Sequence, residues 1–360
     1  MTERSLTVLI VAGEASGDLH ASKAVSRLRA LEPDVVVYGV GGDRMRKAGV
    51  ELIYHSDDFA MVGLLEVVRH IPRLTRVMNH LTDLAKRRGT RLAILVDYPG
   101  FNLALARKLG RAGISVLYYI SPQVWAWGEG RVRKMARRAD RVAVVFPFEE
   151  TFYRERGVEA EFVGHPLLEE LALASEPAPA VERPGRERPG AQSDHGDGTP
   201  VLGLFPGSRR QEIERLLPRM LDAADTLRRD IPGLSVRLGR AAGVGAALLR
   251  ESGDPVGRGV DIVEPEGVHE LMRISTSLLI SSGTATLEAA CFDTPMVIVY
   301  RLSTLSYMIG RALVKIPDIG LVNVVAGERI VPELVQGAAT ARRMADEVRP
   351  FLTDSALRSR

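Results

Sequence analysis

Residues Ser281–Arg301 read SSGTATLEAACFDTPMVIVYR, and their reading decides the fold. Just upstream, the apolar run Ser277–Ile280 has the length and composition of a strand buried on both faces of a parallel sheet. Ser281-Ser282-Gly283-Thr284 breaks that run, a short helical pattern follows, and a second apolar run begins after Pro295. Where such a helix opens, free N–H groups and the positive end of its dipole converge on a spot that suits a phosphate. Glu288 stands one helical turn beyond Thr284 on the same face, placed to accept hydrogen bonds from the hydroxyls of a ribose. A nucleotide-diphosphate site and an ordinary βα turn with a Thr cap account for this stretch equally well.

The same alternation runs through the chain. Strands are predicted near Leu6–Ala12, Asp34–Tyr38, Leu92–Val96, Val116–Tyr119 and Val142–Phe146, with helical patterns between them. A second set lies near Val201–Phe205, Ser235–Leu238, Asp261–Val263, Ser277–Ile280 and Met296–Tyr300. Alternating strands and helices predict an α/β protein with parallel sheets. Between the two sets, Ser175–Pro200 is rich in Pro, Gly and charge without apolar periodicity, which reads as a flexible insertion beside a domain boundary. Two βα domains of similar size predict a ligand cleft between them.

With 360 residues the chain is long enough for two such domains, and a net charge of +3 is too weak to argue for nucleic acid. Cys291 is the only cysteine, so no internal disulfide is possible and a reducing compartment is expected. It falls in an apolar helical pattern and is expected to be a buried, inert thiol. The N-terminal run Leu6–Ala12 is too short for a signal-peptide core, and no run approaches the roughly 18 apolar residues of a membrane span. A cytoplasmic protein is expected, one still able to touch a membrane surface.

Several stretches can carry chemistry. In AGEASGDLHA (Ala12–Ala21), Ser16 or Asp18 can cap the next helix, or Glu14 and the free amides can face a substrate. In VDYPGFN (Val96–Asn102), Asp97 ends a strand, where open α/β sheets place ligand-contacting groups; it is a candidate general base or a carboxylate satisfying turn amides. Trp125 and Trp127 follow a Ser-Pro turn in YYISPQVWAWGEGRVRKMARR (Tyr118–Arg138) and can line a pocket or pack the core. The cations Arg131, Arg133, Lys134, Arg137 and Arg138 of that stretch make a solvated face or one turned to anionic headgroups. In LFPGSRRQEIER (Leu204–Arg215), Ser208 and Gln211 have capping-box spacing, which puts Arg209 at the positive end of a helix. A cation there is locally unfavourable unless an anion joins it. The loop KIPDIGLVNVVAGERIVPE (Lys315–Glu333) can carry Asn323 into the cleft, and FAMVGLLEVVRHIPRL (Phe59–Leu74) packs the core or dips into a headgroup layer. H-E-x-x-H, C-x-x-C and acidic-cluster patterns are missing, so no metal is expected.

Taken together these stretches resemble the lipid-A-disaccharide synthase family. The likeness is carried in order by AGEASGD, GVGGDRM, MVGLLEV, SPQVWAW, FPFE, FVGHPL, PGSR, SSGTATLE and the GLVN-x-x-AG-x-x-x-V-x-E loop. It implies a GT-B architecture, two Rossmann-like parallel-sheet domains facing a cleft. Residues 1–170 would form the acceptor and membrane-side domain, 171–200 an insertion, and 201–340 the UDP-sugar donor domain. Residues 341–360 would form a helix that crosses back or is exchanged in a homodimer. The implied reaction is an inverting transfer from UDP-2,3-diacylglucosamine to 2,3-diacylglucosamine 1-phosphate. It makes the β-1,6 disaccharide of lipid A and releases UDP at the cytoplasmic face of a Gram-negative inner membrane, with no cofactor.

Carried over residue by residue, the resemblance assigns Ser208, Arg209, Gly283, Thr284, Thr286 and Glu288 to UDP, with Glu288 on the ribose. Arg209 and Asn323 would stabilise the leaving diphosphate. Glu14, Ser16, Asp18 and Trp125 would line the acceptor side, and Met61, Leu64, Leu65 and Val68 would meet acyl chains. Asp97 would be the base. Many relatives carry a second Asp where this chain has Gly100, Arg where it has Gly128 and Pro where it has Val322. The alternatives are another UDP-sugar GT-B enzyme, such as a peptidoglycan glycosyltransferase or a UDP-sugar epimerase, and a catalytically silent nucleotide-sugar binding protein.

Overall fold

A computed structural model describes residues 6–59, 64–127, 132–175, 199–303, 307–308 and 318–354. The chain divides into two compact units, Met1–Pro166 and Leu167–Arg360. Most of the Ser175–Pro200 insertion lies outside the described residues; residues 171–175, expected to belong to it, instead finish a helix.

In the first unit the strands are β1 (Thr7–Ala12), β2 (Val36–Gly41), β3 (Glu51–His55), β4 (Leu92–Val96), β5 (Ser115–Tyr119), β6 (Arg141–Val144) and β7 (Ala160–Phe162). They form one sheet in the order β3-β2-β1-β4-β5-β6-β7, and every pairing is parallel. Helices α1 (Ala15–Leu31), α2 (Asp43–Lys47), α3 (Leu64–Arg87), α4 (Pro99–Arg111), α5 (Val124–Trp127), α6 (Val132–Ala136), α7 (Pro147–Arg154) and α8 (Pro166–Ser175) connect or follow them. The period-two alternation of a strand sorts side chains to two faces. Leu9 and Val11 of β1 join Leu95 of β4 and Tyr118 of β5 in a core closed by α3, α4, α6 and α7. Val8, Ile10 and Ala12 point the other way, into a core closed by α1 and α2. Each such aliphatic side chain contributes about 1.5–3 kcal/mol on burial.

The second unit repeats the plan. Its strands β8 (Val201–Phe205), β9 (Ser235–Gly239), β10 (Asp261–Val263), β11 (Ser277–Ser281), β12 (Met296–Tyr300) and β13 (Glu333–Val335) lie in the order β10-β9-β8-β11-β12-β13, again all parallel. The helices are α9 (Arg210–Asp230), α10 (Ala246–Glu251), α11 (Val268–Ile274), α12 (Ala285–Cys291), α13 (Leu321–Ala326) and α14 (Ala341–Thr353). One face of the sheet is covered by α9 and α14, the other by α11, α12 and α13. Met344, Ala345, Val348 and Leu352 of α14 are buried in the core of their own unit, against α9.

In both sheets the strand order reverses once, between β1 and β4 and between β8 and β11. Loops leaving the carboxyl ends of those two strands diverge to opposite faces, and an open α/β sheet binds its ligands in the crevice that results. Strands β3, β7 and β13, which periodicity had not predicted, all lie at sheet edges.

Candidate functional site

The reversal between β8 and β11 in the second unit opens into a cavity of about 520 Å³. Its walls come from the connections at the carboxyl ends of β8, β9, β10 and β11. The β8 loop supplies Gly207, Ser208 and Arg209, the β9 loop supplies Arg240, and the β11 turn supplies Ser281 to Ala285. Phe205, Pro265, Val268 and Met272 make an apolar side, and His269 and Glu288 a polar one.

Locally, α9 begins one residue later than the Ser208–Gln211 capping box predicts. Its N-cap is Arg209, and the carboxylate of Glu212 closes the box, accepting the Arg209 backbone N–H at 3.4 Å. A carboxylate accepts better than the Gln211 amide at a positive helix end. Gly207 makes room for it, because it holds a φ of +106° and any Cβ there would collide with Glu212 Oε2. The Arg209 guanidinium pairs with the buried Glu212 at 3.2 Å and remains 80% exposed, so it can still reach a ligand.

At the β11 turn, Ser282 donates its hydroxyl to the Ile319 carbonyl at 2.7 Å and ties the turn to α13. Thr284 is the N-cap of α12, and its hydroxyl does not cap the helix. It is exposed at the cavity, beside Gly283. Glu288 faces the same space and lies 3.2 Å from His269 Nε2. Thr286, expected at the ligand, is fully buried, donates its hydroxyl to the Gly283 carbonyl at 2.8 Å and does not line the cavity. Two further groups escaped the sequence reading. Ser281 Oγ and Arg240 Nε are buried and find no hydrogen-bond partner in the protein, and both residues line the cavity. Buried polar atoms are almost always satisfied, so two unpaired ones on residues that line the same cavity set it apart.

Asn323 is corrected. It is 1% exposed; its amide nitrogen donates to the Val331 carbonyl (3.0 Å) and to Glu333 (2.8 Å). Its oxygen accepts the N–H groups of Ile330 and Val331. All four bonds are internal, so the residue folds the 318–333 loop rather than touching a leaving group. Cys291 is corrected as well. It is exposed at the end of α12, and burial of the sulfur, then Asp293 and Glu288, push its thiol pKa up and keep it protonated.

In the first unit, the reversal between β1 and β4 places Glu14 and Asp97 at adjacent strand ends, with Ala12 registered to Val96. Burial, and next the charge of Glu14, push the Asp97 carboxyl above the ordinary range. Asp97 and Tyr98 both adopt left-handed backbone (φ of 45° and 46°), a strain of about 1–3 kcal/mol per residue. The turn is held by Asn102 and Tyr118. Asn102 is fully buried, and its amide donates to the Val96 and Asp97 carbonyls; the Tyr118 hydroxyl donates to the Asp97 carbonyl at 2.6 Å. Helix α4 starts just beyond this turn, at Pro99. The Tyr98 ring covers Gly13, where any side chain would collide with it.

Ser16 is exposed in the first turn of α1, whose N-cap is Glu14. Asp18 does not line an open surface. It is 5% exposed and accepts the backbone N–H groups of Gly42, Arg44 and Met45, which makes it the clamp on the start of α2. Trp125 is half-buried, donates its indole N–H to the buried Glu149 at 3.0 Å, and meets Phe148 edge-on at 5.2 Å. Met61 and the side chains of Leu64, Leu65, Val68 and Trp127 lie outside the described residues, as do Gly128 and Arg131. Among the described residues, no helix is long and apolar enough to cross a membrane.

Residues 8–358 match the family model described as Lipid-A-disaccharide synthetase. The lipid-A-disaccharide synthase of Geobacter sulfurreducens is 44% identical over 99% of this chain and 90% of its own length. That of Myxococcus xanthus is 43% identical over 95% and 87%. Among solved structures, the calicheamicin glycosyltransferase CalG4 superposes with a TM-score of 0.59 at 14% identity, covering 99% of this chain and 92% of that one. The UDP-GlcNAc 2-epimerase of Neisseria meningitidis bound to UDP-GlcNAc gives 0.56 at 12% identity, over 99% and 93%. These last two likenesses bear on the fold alone.

Proposed function

The chain belongs to the lipid-A-disaccharide synthase family, and from that premise we propose how it forms the disaccharide. The second unit binds UDP-2,3-diacylglucosamine, and the first supplies the groups that work on the acceptor, 2,3-diacylglucosamine 1-phosphate. The observation that carries the donor assignment is the pair of orphaned polar atoms, Ser281 Oγ and Arg240 Nε, in a cavity at the β8–β11 reversal.

Uracil fits the apolar side made by Phe205, Pro265, Val268 and Met272. The ribose hydroxyls donate to Glu288, which His269 orients. The diphosphate meets Ser208, Thr284, the amides that open α12 and the exposed Arg209 guanidinium. As the glycosidic C–O bond breaks, negative charge grows on the diphosphate, and fixed donors and a cation stabilise it at that moment. Asp97 takes the proton of the acceptor 6-hydroxyl. Its raised pKa makes it a stronger base than an ordinary carboxylate. A single displacement of this kind inverts the anomeric centre. Contact with the inner membrane, where such lipids reside, belongs to the same proposal, with the stretch around Met61–Val68 as its apolar element.

A structure with UDP bound tests the donor half: uracil beside Met272 and phosphates at Thr284 and Arg209 are expected. UDP bound elsewhere overturns the assignment. Absence of UDP release from the two diacylated substrates, at any protein concentration, overturns the reaction.

A further inference from the structure

Away from both strand-order reversals, the first unit carries a groove of about 440 Å³ between α4 and the segment Lys134–Arg138. Ala106 and Gly110 form its floor, and a Cβ added at Gly110 would meet nothing within 4 Å. Its rim is five cations: Arg107, Arg111, Lys134, Arg137 and Arg138. None of the five pairs with a carboxylate among the described residues.

Ordinary explanations fall short. The carboxyl ends of α4 and α6 lie among these cations, and two such ends offset about one positive charge in total. That leaves most of the rim's positive charge without a counter-charge among the described residues. Burial lowers the Arg138 pKa, and the nearby charges of Arg107 and Arg137 lower it further. Arg138 is also fixed in place, donating to the Leu103 carbonyl at 3.1 Å, while Arg137 donates to the Arg133 carbonyl. Five cations without a carboxylate partner among the described residues, two of them held by backbone carbonyls, surround an open floor in a way that suits a polyanion. Guanidinium forks suit tetrahedral phosphate oxygens.

We propose that the α4–α6 groove is a second anion site, distinct from the nucleotide cavity, that takes a phosphate group either free in solution or on a lipid headgroup. Helix α4 starts at Pro99, beside Asp97, so at 1.5 Å per residue Arg107 and Arg111 lie about 12–18 Å along it. A phosphate bound there is not the reacting one. The inference does not rest on the donor assignment.

The test uses the full chain saturated with UDP, so that the nucleotide cavity is filled, and a variant carrying Arg107→Gln, Arg111→Gln, Lys134→Gln and Arg137→Gln. Arg138 is kept because it bonds to the backbone of α4. Inorganic pyrophosphate titrated calorimetrically is expected to bind the parent protein in a salt-sensitive manner, and the variant about tenfold or more weaker, with UDP affinity unchanged. Co-sedimentation with phosphatidylcholine vesicles, with and without phosphatidylglycerol, separates the sources. A preference for the anionic vesicles that the variant loses assigns the site to lipid headgroups. A pyrophosphate effect without any vesicle effect assigns it to a free phosphate. Equal behaviour of parent and variant towards both probes, or no binding of either by the parent, overturns the proposal.

Discussion

At Arg209 an exposed guanidinium sits at the helix end that repels it, restrained by one carboxylate. On the proposed donor assignment, a diphosphate offsets that cost. Arg209→Ala is expected to weaken UDP binding by about 1.5–3 kcal/mol, the worth of a hydrogen bond to a charged group; unchanged affinity in a calorimetric titration would remove the residue from the site. Asp97 makes a prediction in pH. Its carboxyl is raised by burial and by Glu14, and a base works only when ionised, so activity should climb through a limb above the ordinary Asp value of about 3.9. Glu14→Gln removes a negative neighbour and should move that limb to lower pH. A limb that stays in place would detach the rate from Asp97. Gly100 occupies an exposed position in the first turn of α4, where an added Cβ meets nothing. Gly100→Asp should therefore stabilise the protein by about 0.5–1 kcal/mol in urea unfolding, through helix propensity and the dipole. Destabilisation would show that the turn needs glycine.

At the scale of elements, the loop around α13 illustrates how a motif residue can matter without touching a ligand. Asn323 makes four internal hydrogen bonds, and Glu333 accepts the N–H groups of Ile319 and Gly320. Asn323→Ala leaves several buried groups unpaired and should cost about 2–4 kcal/mol of stability. A variant of native stability that lost only turnover would restore the residue to the reaction. Asp18 and Thr286 also make internal bonds: Asp18 accepts N–H groups at the start of α2, and Thr286 donates to the Gly283 carbonyl of its own turn. Sequence spacing alone cannot separate the two roles, because both place a polar side chain at a strand's carboxyl end. The central strands were legible, since they are apolar on both faces. Strands β3, β7 and β13 were not: they lie at edges and are short or only partly buried, so their apolar pattern is weak. His269, Arg240 and Ser281 escaped for another reason: they reach one cavity from a helix, a loop and a strand end, and only the sheet topology brings them together. The cations of Lys134–Arg138 were visible as a charged run, whereas Arg107 and Arg111, the other half of that groove, stand on a different helix.

On the scale of the whole molecule, two parallel sheets each present one strand-order reversal, and each reversal carries a distinct chemistry. The second unit has a cavity lined by Arg209, Thr284 and Glu288; the first has Glu14 and Asp97 at adjacent strand ends, Asp97 on a strained turn. That division of labour is what a transfer between a nucleotide-linked donor and a separate hydroxyl acceptor requires, with positioning and charge stabilisation supplying the rate. It differs from an epimerase, which needs no acceptor. The most direct measurement is therefore the stoichiometry of UDP and disaccharide formed from UDP-2,3-diacylglucosamine with and without 2,3-diacylglucosamine 1-phosphate. The account predicts one UDP per β-1,6 disaccharide, and neither product when the acceptor is omitted. An acceptor-independent change in the UDP-sugar, or UDP released without disaccharide, would contradict it.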